Sequence, residues 1–443
     1  MSNNENNEIR DSFTSKTGFI LACIGSAVGM GNIWLFPYRV GQFGGAAFLI
    51  PYIIFIVLLG YTGLMGEFAF GRMTQTGPIG SFKKALETKN KNWGEFLGII
   101  PVVGAFGIAV GYAVVVGWFL RFLGGFITGS AMSAADSGAY FGELASPFGS
   151  IIWHLLALIL VSIVLISGIS KGIETMNKIM MPAFYILFVI VMVRVFMLDG
   201  AFEGIKYLVV PKWSSLMEPK TWIYALGQAF FSLSLAGSGM IVYGSYLKRD
   251  VDIMSSAKNT VIFDTLGAFL AGLVIIPAVF AFNLDPASGP PLLFITIPSV
   301  FKLMPFGRLF GVIFFISVLF ASITSLMNLL EVPIEAVQST FKLKRKLSVF
   351  IVVGATFIFG LFAEDGNNLG VLMDFVSIYI IPIGAFIAAV MFFWVIGIEK
   401  AKSEIECGTD KKLGKLFEIS AKYVFVFLTI FVFIAGILLG GIG

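Results

Sequence analysis

The apolar residues of this chain fall into eleven long runs separated by shorter polar stretches. Their limits are Thr17–Val40, Ala46–Phe70, Trp93–Phe126, Phe148–Ser167, Ile173–Leu198, Thr221–Tyr246, Asn259–Phe282, Phe306–Thr340, Leu347–Phe362, Leu369–Ile398 and Phe417–Leu439. A bilayer core needs about 20 residues of helix to cross, and most of these runs meet that length. In lipid a spanning backbone must bond to itself, as a helix or a closed barrel. A barrel would alternate apolar and polar residues over ten-residue segments, and these runs do not. The pattern therefore predicts an all-α membrane protein.

Composition agrees. Of 443 residues, 58% are hydrophobic and 13% charged, where soluble domains carry about 25% charged residues. That is too little polar material to cover a water-facing surface, and nothing in it suggests nucleic acid as a partner. Cys23 and Cys407 lie far apart and give no case for a disulfide framework or a metal site. The start, Met1 to Lys16, is polar and mixed in charge, so no cleavable signal is expected there.

The net charge of +4 matters less than where the cations lie. The tail has Arg10 and Lys16, and turns on its side have Arg72, Lys83, Lys84, Lys248, Arg249, Lys342, Lys344, Arg345, Lys400 and Lys402, among others. The opposite side has only Lys206, Lys212, Lys220, Lys302 and Arg308. Positive loops stay in the cytoplasm. This places the N-terminus inside and, with an odd span count, the C-terminus outside.

Two runs carry glycine-rich interruptions, Gly25-Ser-Ala-Val-Gly-Met-Gly-Asn32 in span 1 and Ser232-Leu-Ser-Leu-Ala-Gly-Ser-Gly239 in span 6. Such residues are consistent with close helix packing. They are equally consistent with two unwound helices at corresponding positions of two repeats, the arrangement of a midplane site in an inverted-repeat transporter.

Three strings carry a resemblance: Gly25-Ser-Ala-Val-Gly-Met-Gly-Asn-Ile-Trp-Leu-Phe-Pro-Tyr38, Gly44-Gly-Ala-Ala-Phe48 and Gly227-Gln-Ala-Phe-Phe-Ser-Leu-Ser-Leu235. The sequence resembles the neurotransmitter:sodium symporter family over essentially its whole length, and its eleven-span layout looks like a prokaryotic branch. The resemblance implies the LeuT-like fold, a 5+5 inverted repeat with discontinuous helices 1 and 6 plus an eleventh helix. It divides the chain into a cytoplasmic tail (1–16), a first five-helix repeat (17–198), an extracellular loop (199–220), a second repeat (221–398), a cytoplasmic loop (399–416) and the last helix (417–443). It also implies a multi-pass protein of a prokaryotic plasma membrane, as a monomer or weak dimer in the lipid bilayer.

By the same resemblance, the N–H groups of Met30 and Gly31 face a substrate carboxylate that Tyr112 caps. The carbonyls of Ala27, Phe231 and Ser232, with the Ser234 hydroxyl, take the ammonium. A first sodium site uses Ala27, Asn32, Ser232, Asp264 and the substrate carboxylate. A second uses Gly25, Val28, Ala321, Thr324 and Ser325. These are the oxygen ligands a hard cation requires. Asp264 lies deep in span 7, where a carboxylate costs about 2.5–3.5 kcal/mol to insert. Relatives with Asn there borrow charge from chloride or a nearby Glu. Here the position one turn on is Ala268, so two sodium ions and no chloride are expected.

The implied pocket wall is Ile108, Tyr112, Phe231, Gly237, Ser325 and Leu329. Gly237 stands where a bulky aromatic is common, which leaves room for tyrosine, tryptophan, phenylalanine or leucine. For the outer gate the resemblance supplies Phe231 and Asp374, but its arginine position is Leu35. Arg39, four residues on, faces the same way and is the candidate partner, with snorkelling to the interface the alternative. Arg10 and Phe13 match the inner latch. Its acid position is Ser339, with Glu335 one turn earlier. Glu67 reads as structural, bonded to freed backbone near the helix-6 break, and His154 as a packing residue.

The expected activity is sodium-coupled import of a large hydrophobic or aromatic amino acid, the alternative being another small amine or amino acid. An intramembrane hydrolase would need a base beside Ser238, and His154, the sole histidine, has nothing pairing it to that serine. No ring of charges or repeated filter marks a channel. An enzyme is therefore not expected.

Overall fold

The computed structural model describes residues 11–235, 238–286 and 292–442, and every element among them is helical. Helices occupy all eleven predicted runs. They are α1 in two halves, α1a (Lys16–Ala27) and α1b (Gly31–Gln42), then α2 (Ala46–Thr74), α3 (Gly94–Thr128), α4 (Ile151–Ile166) and α5 (Ile169–Phe196). After these come α6a (Pro219–Ser232) and α6b (Gly239–Ser245). The series ends with α7 (Ile253–Ala281), α8 (Gly307–Phe341), α9 (Arg345–Phe362), α10 (Gly366–Ile405) and α11 (Lys415–Leu439). Eight are long and apolar enough to cross a bilayer, or nine with the two halves of α1 taken together. The apolar helix α4 and the split α6 fill the other two runs.

Local chemistry fixes several helix ends. Ser15 caps α1a through the Gly18 N–H, Asp252 caps α7 through the Ser255 N–H, and Asp365 caps α10 through the N–H groups of Asn367 and Asn368. Pro219 opens α6a at a position where a missing N–H costs nothing. The chain turns between α1b and α2 on Gly44 and Gly45, both at positive φ.

Lipid tails are as apolar as leucine, so close packing rather than water exclusion holds such helices together. The long α8 packs along α3 and α5, and α7 packs against α1 and α5. α6b lies on α2 so closely that a Cβ at Gly71 would come within 1.9 Å of the Ile241 carbonyl oxygen. Above α1b and α3 an aromatic cluster forms around Phe294, whose ring centroid lies 4.9–5.8 Å from those of Trp34, Trp118, Phe119, Phe122 and Phe141. The two interrupted helices run through the middle of this frame, facing α3, α7 and α8.

Candidate substrate and sodium site

Both glycine-rich interruptions are true breaks. α1a and α1b meet at an angle of 51°. In α6, Ser234 and Ser238 both take φ of 53°, a left-handed conformation uncommon for residues other than glycine. Breaking a helix frees backbone groups that must find other partners. The Gly31 carbonyl accepts from the Gln228 amide (2.8 Å), and the Ser26 carbonyl accepts from the hydroxyls of Ser234 (3.0 Å) and Ser325 (3.1 Å). The Met30 N–H donates to the Tyr112 hydroxyl (2.9 Å).

Asp264 joins the two breaks. Its Oδ1 accepts from the Asn32 amide of α1b at 2.8 Å and its Oδ2 from the Ser232 hydroxyl of α6a at 2.8 Å. The Asn32 amide also donates to the Asp264 carbonyl (3.0 Å), and the Tyr52 hydroxyl approaches Ser232 at 3.4 Å. Asn32 and Asp264 are fully buried. Among the described residues no Lys, Arg or His forms an ion pair with this carboxylate.

Beside this node lies a small cavity lined by Ala27, Met30, Gly31, Ile108, Tyr112, Phe231, Ser234, Ser325 and Leu329. Those nine are residues the sequence marked for substrate. Ser232 instead turns to Asp264, and Gly237 lies outside the described residues. Sequence reasoning missed Ser26, Asn328, Val332 and Ile381, which also line it. Asn328 and Val332 were within reach, since they follow Ser325 by three and seven residues on the same helical face. Gln228 and Tyr52 gave no such signal.

The residues marked for a second sodium are also near one another. A Cβ at Gly25 would come within 2.9 Å of the Thr324 Cβ, so α1a and α8 touch there. The Thr324 hydroxyl donates to the Phe320 and Ala321 carbonyls (2.9 Å each), which leaves its lone pairs free for a cation. Val28 is buried in the turn that follows α1a.

The gate residues are placed less simply. Phe231 lines the cavity. Arg39 donates to Gln42 (2.9 Å) and its guanidinium lies over the Tyr224 ring at 4.4 Å. Asp374 is exposed and no ion pair joins it to Arg39. Phe13 is buried against Phe19 and Tyr243, while Arg10 lies outside the described residues. Glu335 is buried against Gly77. Two further fastenings on this side were not anticipated. Glu174 accepts from the Thr14 N–H and hydroxyl, the Ser15 hydroxyl and Lys178 (2.6–2.9 Å). Glu331 accepts from both terminal nitrogens of Arg345 (2.9 and 2.7 Å) and from the Tyr246 hydroxyl (2.8 Å). Glu67 is buried beside the backbone of Met240 and Ile241 in the first turn of α6b. His154 is buried with its Nδ1 3.3 Å from Glu364.

Oxygen donors gather at two broken helices beside a cavity, and oxygen is the donor type that hard cations take. Among the described residues no group of His, Cys, Asp and Glu could hold a transition metal. The model of the sodium:neurotransmitter symporter family matches residues 10–132 and 141–439. An uncharacterized sodium-dependent transporter of Bacillus subtilis, YhdH, is 36% identical over 94% of this chain and 94% of its own. The sodium-dependent serotonin transporter of Drosophila melanogaster is 28% identical over 96% of this chain and 76% of its own. The crystal structure of MhsT in complex with L-phenylalanine superposes with a TM-score of 0.87 at 34% identity, covering 96% of this chain and 99% of that one. The chain is a sodium-dependent symporter with the LeuT fold and belongs to the sodium:neurotransmitter symporter family.

Proposed function

We propose that this symporter imports a large hydrophobic or aromatic amino acid with sodium, by alternating access and without chloride. The observation that carries this reading is the Asp264 carboxylate, held between Asn32 and Ser232 by neutral donors alone. Neutral hydrogen bonds orient a buried carboxylate but leave its charge in place, and a buried charge needs a counter-charge. Sodium beside Asn32, Ser232, Asp264 and the Ala27 carbonyl supplies it, with the substrate carboxylate as a further ligand. That shared ligand makes the affinities for ion and substrate rise together. Because the negative charge belongs to the protein, chloride has no role to fill. A second sodium is assigned to Gly25, Val28, Ala321, Thr324 and Ser325, where α1a meets α8.

The amino-acid side chain is assigned to the cavity walls at Ile108, Phe231 and Leu329. Those walls are bulky and apolar, which suits an apolar side chain, and the related MhsT was solved with L-phenylalanine. The distribution of cations supports eleven crossings of a prokaryotic plasma membrane with the N-terminus inside. The test is uptake of radiolabelled amino acids into proteoliposomes. The reading expects saturable uptake of phenylalanine, tyrosine or leucine that requires sodium and is indifferent to chloride. Preferential uptake of glycine or alanine, or a chloride requirement, would contradict it.

A further inference from the structure

α11 ends in a turn that sends the chain back into the bundle. Gly440 and Gly441 both take positive φ (67° and 111°), and the Gly441 N–H donates to the Gly436 carbonyl at 2.8 Å. Glycines in this conformation close a helix and reverse its course. The turn carries Ile442 into a cleft between α6a, α10 and α11, where it is 3% exposed. Its seat on α6a is Gly227. A Cβ there would lie 2.8 Å from Ile442 Cγ1 and closer still to the Ile442 carbonyl oxygen. On α10 the turn rests against Ile378, which a Cβ on Gly441 would touch at 3.4 Å. Ile378 falls within Val376–Ile380, where α10 widens to a π-helical turn, a departure frequent at functional sites.

Both contacts lie one helical turn from a residue expected at the outer gate. Gly227 precedes Phe231 by four residues on α6a, and Ile378 follows Asp374 by four on α10, spacings that share a helical face. Phe231 and Ile381 line this cleft on one side and the substrate cavity on the other. The turn therefore presses on the wall that divides the two. We infer that Ile442 is a positioning residue of the outer gate: seated between α6a and α10, it keeps Phe231 at the substrate cavity and sets how fast substrate escapes outward. Opening the outer path parts the half-helix α6a from α10, and a wedge seated on both then gives up its contacts. Only contacts that differ between two states shift the balance between them, and a buried isoleucine lodged on a glycine makes contacts of that kind. This rests on the reading of Phe231 as the residue that closes the outer path.

The test compares Ile442→Ala with the unaltered chain in sodium. Two rates are measured: dissociation of labelled tyrosine, and hydrogen exchange of the backbone amides of α6a. Ile442→Ala is expected to release tyrosine roughly tenfold faster or more, with the number of binding sites kept. Exchange in α6a should quicken by a similar factor while α7 exchanges as before. Exchange needs no ligand, so it tests the wedge whichever amino acid the site takes. Ile442→Leu keeps an apolar wedge and should release tyrosine at nearly the unaltered rate. Gly227→Ala displaces the wedge from the other side and should match Ile442→Ala. Fewer binding sites that still release tyrosine slowly would mark a merely structural residue and overturn the inference. Unchanged exchange in α6a overturns it at the wedge itself. Faster exchange with unchanged release overturns it through the reading of Phe231, so the two failures are distinguishable.

Discussion

Two of the fully buried carboxylates in this helix bundle, Glu331 and Asp264, differ in their surroundings in one respect. Glu331 on α8 meets the guanidinium of Arg345 through two bonds, with the Tyr246 hydroxyl as a third donor. Asp264 on α7 meets an amide and a hydroxyl, and among the described residues no cation pairs with it. The first carboxylate has its counter-charge in the chain. The second is oriented by neutral groups, and under the proposed function its counter-charge is a sodium ion that arrives and leaves. A buried pair complete in itself fastens α6b to α8 and the start of α9, whereas one completed from solution, as proposed for Asp264, would couple the fold to the concentration of sodium.

The largest effect is expected where the internal pair is broken. Arg345→Ala leaves Glu331 buried and unpaired, at a cost of about 3–5 kcal/mol. The thermal inactivation midpoint of the detergent-purified protein should fall clearly, and Glu331→Met with Arg345→Met should recover most of it. If Arg345→Ala left the midpoint unchanged, the first half of the comparison would be wrong. Asn32→Ala acts on the other carboxylate. It removes a hydrogen bond to a charged group, about 1.5–3 kcal/mol, and should raise the sodium concentration for half-maximal uptake about tenfold or more. The thermal midpoint should move less than for Arg345→Ala. A normal sodium dependence in Asn32→Ala would detach Asp264 from the ion.

Tyr112→Phe probes the boundary between node and cavity. It removes the acceptor of the Met30 N–H, about 1 kcal/mol, and should weaken substrate binding about fivefold. The smallest effect is expected at the outer gate. Arg39 lies over Tyr224 and does not pair with Asp374, so Arg39→Ala and Asp374→Ala should add within about 0.5 kcal/mol. A larger interaction in the double variant would show that the two meet in another state of the transport cycle.

The sequence made the helices and their breaks legible because the signals are local. Apolar runs of spanning length and glycine-rich interruptions need no tertiary knowledge, and Asp264 stood out as a carboxylate where lipid makes charge costly. Asn328 and Val332 could have been reached by extending the α8 face from Ser325. The two fastenings beneath the site were of another kind. Glu331 and Arg345 are fourteen residues apart across a helix boundary, and Thr14 and Glu174 are separated by 160. No periodicity connects such residues. The expected Arg39–Asp374 contact shows the reverse difficulty, since a shared helical face does not determine which aromatic ring a guanidinium will lie over.

The most direct measurement is sodium-driven uptake by Asp264→Asn in proteoliposomes, with chloride present and with chloride replaced by gluconate. The substitution keeps the shape of the side chain and removes its charge. Uptake by Asp264→Asn should be lost without chloride and restored at least in part when chloride is supplied. Uptake equal to that of the unaltered chain and indifferent to chloride would contradict the assignment of Asp264 as the charge that holds sodium.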